Sequence, residues 1–146
     1  MDQGRKGDSG VKMHTIVLCN GVFDLLHPAH VRPLQAARRM GTLLVVGVTR
    51  DSGVNKPGRP IMKEEERLEM VRALSCVYSA YLCQNSLEAL DYWKPTIFCK
   101  GADYLEKGLL KEEIEYCKKH KIEIKHTNPH PLTTTSIIER IKCASA

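Results

Sequence analysis

The chain has 146 residues, the length of one ordinary domain. Hydrophobic residues make up 42% of it and charged residues 27%, so it can bury one core, and the collagen-like and disordered classes are excluded. Its longest purely apolar run, Leu43–Val46, is far shorter than the roughly 20 residues that a membrane helix needs. We expect a soluble, cytoplasmic protein with no membrane partner.

The net charge of the chain is +5, from 22 Lys and Arg residues against 17 Asp and Glu residues. A positive balance suits an anionic partner. The basic residues are scattered, and aromatic residues make up only 5% of the chain, few for a surface that stacks nucleic-acid bases. We therefore expect a small phosphorylated ligand and no nucleic acid.

The six cysteines form no C-x-x-C pair, and none has a histidine at zinc-finger spacing. Cys19 and Cys99 lie in apolar runs that are typical of strands, where thiols behave as small buried hydrophobes. We expect free thiols and no disulfide framework.

Short β-rich apolar runs alternate along the chain with longer helical patterns. Residues 1–13 are polar and Gly-rich, and we expect a disordered tail or a remnant of cloning there. The first half of the chain then predicts, in order, a strand at Thr15–Cys19, a helix along Val31, Leu34, Ala37 and Met40 that ends at Gly41, a strand at Leu43–Val48, a helix at Lys63–Leu74 and a strand at Val77–Cys83. The second half predicts a helix at Leu87–Trp93, a strand at Thr96–Cys99, a helix at Leu110–Lys121, a strand at Ile122–His126 and a closing helix that buries Ile137, Ile138 and Ile141.

This order of elements predicts an α/β fold with a doubly wound parallel sheet. Strands this apolar are covered on both faces, and right-handed crossovers place helices in a layer on each side. In such folds, ligands bind beyond the carboxyl ends of the strands, where the strand order switches. The residues that follow the strands are therefore the candidates for a binding site.

The first strand is followed by a turn that carries two histidines at the predicted start of the first helix. The sequence at residues 20–30 is N-G-V-F-D-L-L-H-P-A-H, in which Gly21 allows a tight turn and close approach of a ligand. Backbone N–H groups at a helix start bind phosphate, and His27 and His30 are spaced to donate hydrogen bonds to a polyphosphate. The spacing also suits a metal site with Asp24, in the pattern D-x-x-H-x-x-H, or histidines that cap the helix or pack in the core.

Arg67 shares the core-facing stripe of its helix with Met70, Val71 and Leu74. An arginine on the buried side of a helix needs an anion. That anion is either a protein carboxylate or a substrate phosphate.

Four hydroxyl residues, Thr133, Thr134, Thr135 and Ser136, open the closing helix. Ser136-x-x-Glu139 has the form of a capping box. The hydroxyls that a cap does not need can line an anion site for the β- and γ-phosphates of a nucleotide.

Four ordered motifs resemble those of the cytidylyltransferase-like nucleotidyltransferases. G-V-F-D-L-L-H-P-A-H at residues 21–30 resembles that family's G-x-F-D-x-x-H-x-G-H, with Ala29 at the second motif glycine. K-P-G-R-P at residues 56–60, followed by Glu66-Arg67, resembles its K-G-x-x-R-P…E-R stretch. K-G-A-D-Y at residues 100–104 is similar to the K-G-G-D-Y of the heptose-1-phosphate adenylyltransferase branch, and L-T-T-T-S-I-I at residues 132–138 to the closing S-T-T-x-I-I.

The resemblance implies a single Rossmann-like domain over residues 14–146, with five parallel strands in three α/β/α layers. It implies an enzyme that transfers a nucleoside monophosphate, AMP from ATP, to a phosphorylated acceptor such as a sugar 1-phosphate and releases pyrophosphate. Two alternatives stay open. One is a CTP-dependent cytidylyltransferase acting on a phospho-alcohol or phosphonate, a relative of glycerol-3-phosphate cytidylyltransferase. The other is a non-catalytic nucleotide-binding module.

The resemblance also implies roles for particular residues. The catalytic residues are His27, His30 and Lys56, and Arg59 and Arg67 bind the acceptor. The nucleotide-binding residues are Gly21, Val22, Phe23, Asp24, Lys100, Gly101, Asp103, Thr133, Thr134 and Thr135. Mg²⁺ is expected to arrive with the nucleoside triphosphate, without a cage of protein ligands. A homodimer is expected by resemblance.

Overall fold

The computed structural model of the protein describes residues 14–101 and 110–145. Within these ranges the strands are β1 (Ile16–Gly21), β2 (Leu43–Thr49), β3 (Ser79–Cys83), β4 (Ile97–Lys100) and β5 (Glu123–His126). The α-helices are α1 (Pro28–Arg38), α2 (Glu64–Arg72), α3 (Ser86–Trp93), α4 (Lys111–Lys119) and α5 (Thr134–Ala144). A single 3-10 turn, Asp51–Gly53, follows β2.

The strands form one sheet in the order β3-β2-β1-β4-β5, and every pair of neighbours is parallel. The predicted five-stranded, doubly wound α/β fold is therefore confirmed. The chain winds outward from β1 to β3 and then crosses to β4 on the other side of β1. The strand order thus switches between β1 and β4, and a ligand is expected at the carboxyl ends of these two strands.

Successive residues of the central strand β1 point to opposite faces of the sheet. Val17 packs with Leu34 of α1 and Val71 of α2 in one buried cluster. Leu18 packs with Leu90 of α3 in a second cluster, and α4 lies beside α3 on that face. The sheet is therefore covered by two layers of helices, as the apolar strands predicted.

The structure differs from the sequence prediction at the end of β1 and in the burial of the closing helix. β1 continues through Asn20 and Gly21, because the backbones of these residues pair with Gly47 and Val48 of β2. The closing helix buries less apolar surface than predicted: Ile141 is 58% exposed, and Ile137 and Ile138 are half-buried. The buried residue of α5 is Thr134, in its first turn, so the helix is anchored at its N-terminal end.

All six cysteines are free thiols, and four of them are buried, including Cys19 in β1 and Cys99 in β4. None of the helices in the described parts of the chain has the length and apolar composition that crossing a membrane requires.

Candidate active site

A cavity of about 810 Å³ opens at the carboxyl ends of the strands, where the switch in strand order predicts a ligand. Many of the residues predicted for the site line it: Gly21, Val22, Phe23, Asp24, His30, Lys56, Arg59, Lys100, Gly101 and Thr134. Four other predicted residues are not on its wall: His27, Arg67, Thr133 and Thr135. Asp103 lies outside the described residues.

The turn after β1 is formed by residues with unusual backbone angles. Phe23 and Leu25 have φ values of 56° and 53°, in the left-handed region of backbone conformation that residues other than glycine rarely adopt. A Cβ on Gly21 would lie 3.1 Å from the ring of Phe23. A side chain at position 21 would therefore crowd the Phe23 ring, and the tight turn expected at Gly21 falls at Phe23 and Leu25 instead.

His27 connects the start of α1 to the start of α5. It is the N-cap of α1, and its Nδ1 accepts a hydrogen bond from the backbone N–H of Ala29 at 3.2 Å. A neutral ring then carries its hydrogen on Nε2, which lies 3.0 Å from Thr134 Oγ1. The Thr134 hydroxyl in turn donates to the carbonyl of Asp24 at 3.2 Å. His27 thus combines the capping role that its spacing allowed with the positioning of Thr134.

His30 is the histidine on the cavity wall. Its ring stacks on that of His27, with 3.9 Å between centroids, and meets the edge of Phe23. Burial lowers the pKa of His30 to about 4, with His27 acting in the same direction and Asp24 opposing it. At neutral pH the ring is uncharged and has one N–H to donate. Its buried Nδ1 has no hydrogen-bond partner within the described parts of the chain.

Asp24 fixes the loop that follows β2. Its carboxylate is 1% exposed and accepts hydrogen bonds from the backbone N–H groups of Ile61, at 2.7 Å, and Met62, at 2.9 Å. It also accepts from Arg59 Nε at 3.3 Å. These bonds occupy the carboxylate, so its role in the protein is to position the loop and Arg59. Asp24 also lines the cavity, and its part in nucleotide binding stays a prediction.

Lys56 and Arg59 bring positive charge to the cavity. Lys56 is exposed and lines the cavity, and its side chain has no hydrogen-bond partner among the described residues. The Arg59 side chain is 15% exposed and uses Nε for Asp24, while its two terminal nitrogens have no partner in the described parts of the chain. Both side chains keep N–H donors for an anionic ligand.

Arg67 is completely buried, and its guanidinium is used within the protein. Its hydrogen bonds reach the carbonyls of Val22, Thr49 and Met62, and its Nη2 lies 2.7 Å from Asp51 Oδ1. The expectation that Arg67 binds the acceptor phosphate is therefore corrected. The anion it needed is a protein carboxylate, and the guanidinium joins the ends of β1 and β2 beneath the site.

Lys100, at the end of β4, is buried and paired. Its Nζ lies 3.1 Å from Glu113 Oε2 and 4.9 Å from the centre of the Phe98 ring. The same carboxylate oxygen accepts a hydrogen bond from the Ser86 hydroxyl, at the start of α3. Lys100 and Gly101 line the cavity as predicted. Glu113 was not among the predicted site residues, and its signal in the sequence was its position one helical turn before the buried Cys117.

The start of α5 is capped three residues earlier than predicted. Thr133 is the N-cap, and its Oγ1 accepts from the backbone N–H of Ser136 at 3.0 Å. Ser136 Oγ accepts in return from the backbone N–H of Thr133. The capping box is therefore Thr133 with Ser136, and the predicted box with Glu139 is wrong because Ser136 already lies in the helix. Thr134 faces the cavity, and Thr135 is exposed.

Arg32 and His130 were also missed. His130 Nδ1 accepts from the backbone N–H of Leu132 at 3.1 Å, so a neutral ring carries its hydrogen on Nε2. Arg32 Nη1 lies 3.5 Å from that Nε2. The N–H groups of Arg32 Nη1 and His130 Nε2 therefore face each other, and an anion could accept a hydrogen bond from both.

The residues present do not form a metal cage by themselves. In the described ranges, no group of three or more His, Cys, Asp or Glu side chains is placed to hold a metal ion. Asp24, the acid of the D-x-x-H-x-x-H pattern, directs its oxygens at backbone N–H groups and Arg59.

Comparisons with known proteins agree with this geometry. The family model described as cytidylyltransferase-like matches residues 18–141. Bifunctional protein HldE of Syntrophotalea carbinolica is 38% identical over 132 residues, which are 87% of this chain and 27% of that protein. Bifunctional protein HldE of Helicobacter pylori is 36% identical over 132 residues, which are again 87% of this chain and 27% of that protein. The chain thus spans 27% of the length of these curated relatives.

Solved structures share the fold. The lipopolysaccharide core biosynthesis protein from Thermoplasma volcanium is 29% identical, with a TM-score of 0.70 over 81% of this chain and 99% of that chain. The pantoate-beta-alanine ligase from Francisella tularensis is 14% identical, with a TM-score of 0.57 over 93% of this chain and 72% of that chain. The second likeness concerns the fold alone.

Replacing Arg67 with methionine is expected to lower the free energy of unfolding by about 3 kcal/mol, because three carbonyls and Asp51 lose their donor. Urea denaturation measures the loss. Arg140→Met, at an exposed position of α5, is the matched control and is expected to be neutral. An Arg67→Met protein with unchanged stability but weaker ligand binding would show that Arg67 serves the ligand and not the fold.

The low pKa of His30 predicts that stability falls as the pH falls. The unfolded chain takes up this proton at a pKa near 6.5 and the folded protein only near 4, so protonation favours unfolding between these values. The loss is on the order of 3 kcal/mol by pH 4. Denaturation curves between pH 7 and about 4 are expected to show a flatter pH dependence for His30→Gln than for the wild type. Parallel curves would contradict the low pKa.

Proposed function

The chain belongs to the cytidylyltransferase-like family, and from that membership we propose that it transfers AMP from ATP to a phosphorylated sugar, with a sugar 1-phosphate as acceptor. It is a nucleotidyltransferase, and the observation that carries the proposal is the cavity at the switch point, which receives N–H donors from His30, Lys56 and Arg59. The similarity of K-G-A-D-Y to the heptose-1-phosphate adenylyltransferase branch supports ATP and a sugar acceptor.

The proposed reaction is an in-line displacement at the α-phosphorus. A phosphate oxygen of the acceptor forms a bond to the α-phosphorus, the bond to the β-phosphate bridging oxygen breaks, and pyrophosphate leaves. The proposed transfer is direct, with no covalent intermediate on the protein. Its rate then depends on positioning the two substrates and on neutralising their charge.

Each cavity-lining donor has a role in this mechanism. The neutral His30 donates a hydrogen bond to an oxygen that gains negative charge as the bond to pyrophosphate breaks. Lys56 neutralises the phosphates as a mobile point charge. Arg59, oriented by Asp24, binds the acceptor phosphate with its terminal nitrogens.

The start of α5 is the proposed site of the β- and γ-phosphates. Thr134 lies there on the cavity wall, held by His27. His27 thereby acts by positioning Thr134. The facing donors of Arg32 and His130 supply a further place for phosphate oxygens. Mg²⁺ bound to the nucleotide would neutralise part of the charge on the leaving pyrophosphate.

Pyrophosphate release, measured with each of the four nucleoside triphosphates and a panel of phosphorylated acceptors, tests the proposal. ATP with a sugar 1-phosphate is expected to give the highest kcat/KM. The family description favours CTP as the second candidate, with a phospho-alcohol or phosphonate as acceptor. Thermal stabilisation by a nucleotide without pyrophosphate release from any pair would instead favour a non-catalytic binding module. The homodimer stays a prediction, which sedimentation of the purified chain tests.

His30→Ala is expected to lower turnover by about a hundredfold, because a donor to the developing charge is lost. His27→Ala is expected to do the same and also to cost about 1 kcal/mol of stability, because α1 loses its cap. His120→Ala, at an exposed position after α4, is the control. Near-normal turnover in both histidine variants would remove these residues from the mechanism.

A further inference from the structure

A second group of polar side chains lines the cavity, at the ends of three different elements. Lys100 ends β4, Ser86 begins α3, and Glu113 lies in the first turn of α4. All three are buried, with Glu113 only 1% exposed. This group contains the carboxylate of the cavity wall that the proposed mechanism does not use.

The two oxygens of the Glu113 carboxylate are in different situations. Oε2 receives hydrogen bonds from Lys100 and from Ser86. Oε1 is buried and has no hydrogen-bond partner among the described residues. A buried carboxylate oxygen without a partner is unfavourable, because it has lost its hydration and gained nothing in return. The ion pair with Lys100 and the bond from Ser86 hold the group in that state.

We propose that Glu113 Oε1 accepts a hydrogen bond from a sugar hydroxyl of a bound substrate. This inference rests on the proposed function, since it concerns the same cavity. A phosphate oxygen does not fit beside Oε1, because both are acceptors and both carry negative charge. The hydroxyl of Thr127, which also lines the cavity, is likewise buried and has no hydrogen-bond partner in residues 14–101 and 110–145.

A sugar hydroxyl can form a hydrogen bond with either of these groups. Glu113 Oε1 can only accept a hydrogen bond, whereas the Thr127 hydroxyl can donate or accept. A sugar with neighbouring hydroxyls supplies both kinds of partner. A site that hydrogen-bonds a hydroxyl rejects an analogue lacking it, because the buried groups are then left unpaired. Glu113 is therefore a specificity-determining residue for a polyhydroxylated substrate.

The hydroxyls have two possible sources, the ribose of the nucleotide and the sugar of the acceptor. Equilibrium binding by calorimetry separates them. The nucleotide arm compares Mg·ATP with Mg·2′-deoxy-ATP and Mg·3′-deoxy-ATP. The acceptor arm compares glucose 1-phosphate with 2-deoxyglucose 1-phosphate, and galactose 1-phosphate with its 2-deoxy analogue. In one of the arms, the wild type is expected to bind the deoxy probe at least about tenfold more weakly.

Glu113→Gln is expected to reduce that discrimination to about twofold, since a hydrogen bond to an amide is weaker than one to a carboxylate. Glu112→Gln, the exposed neighbour in the same helical turn, is the matched control and is expected to keep the discrimination of the wild type. Glu113→Gln could fail to fold because Lys100 loses its counter-charge. In that case the double variant Lys100→Met/Glu113→Met, which removes both charges, is measured in place of Glu113→Gln.

The proposal is overturned if the wild type binds the deoxy probes as tightly as the hydroxylated ones in both arms. It is also overturned if the Glu113 variants discriminate as well as the wild type. Binding is measured without turnover, so this result is separate from the pyrophosphate assay. One outcome is that the wild type releases no pyrophosphate while Glu113→Gln still reduces the discrimination between hydroxylated and deoxy probes. That combination would refute the proposed transfer and support the hydroxyl-binding role of Glu113.

Discussion

The buried carboxylate of Asp24 joins the two loops that form most of the candidate active site. A carboxylate removed from water is stable only when it is paired and hydrogen-bonded, and here its partners are the N–H groups of Ile61 and Met62 and the guanidinium of Arg59. The turn after β1 and the loop after β2 are therefore held together by one charge. Arg59 reaches the cavity in a fixed orientation because its Nε is used for this contact.

Arg67 is the cationic counterpart of this arrangement, placed beneath the same two loops. Its hydrogen bonds to the carbonyls of Val22 and Thr49 join the ends of β1 and β2. Two of the charged residues that resemble ligand-binding residues in the sequence thus stabilise the site itself. The described cavity wall offers N–H donors for a phosphate on His30, Lys56 and Arg59, and these three side chains differ in charge and exposure.

The sequence predicted where the site lies, because strand periodicity and the order of elements determine which loops meet at the carboxyl ends of a parallel sheet. It could not separate residues that hold the site from residues that face the ligand. Asp24 and Arg67 find their partners far along the chain, and such contacts leave no local pattern. The closing helix shows the same limit: an apolar stripe predicts a buried face, but Ile141 stays exposed because α5 is anchored at its first turn.

The distribution of charge around the cavity bears on how two phosphorylated substrates share it. Lys56, Arg59 and the start of α5 favour phosphate oxygens, whereas Glu113 opposes them. Pairing with Lys100 lowers the repulsion from Glu113 without giving its Oε1 a donor. A phosphate near Glu113 would face a negatively charged oxygen that can only accept hydrogen bonds. Sugar hydroxyls near Lys56 and Arg59 would leave the charges of these two side chains poorly neutralised. In the proposed reaction, the substrate whose hydroxyls reach Glu113 is thereby aligned with its phosphate toward the cations, and only this orientation satisfies both groups of side chains.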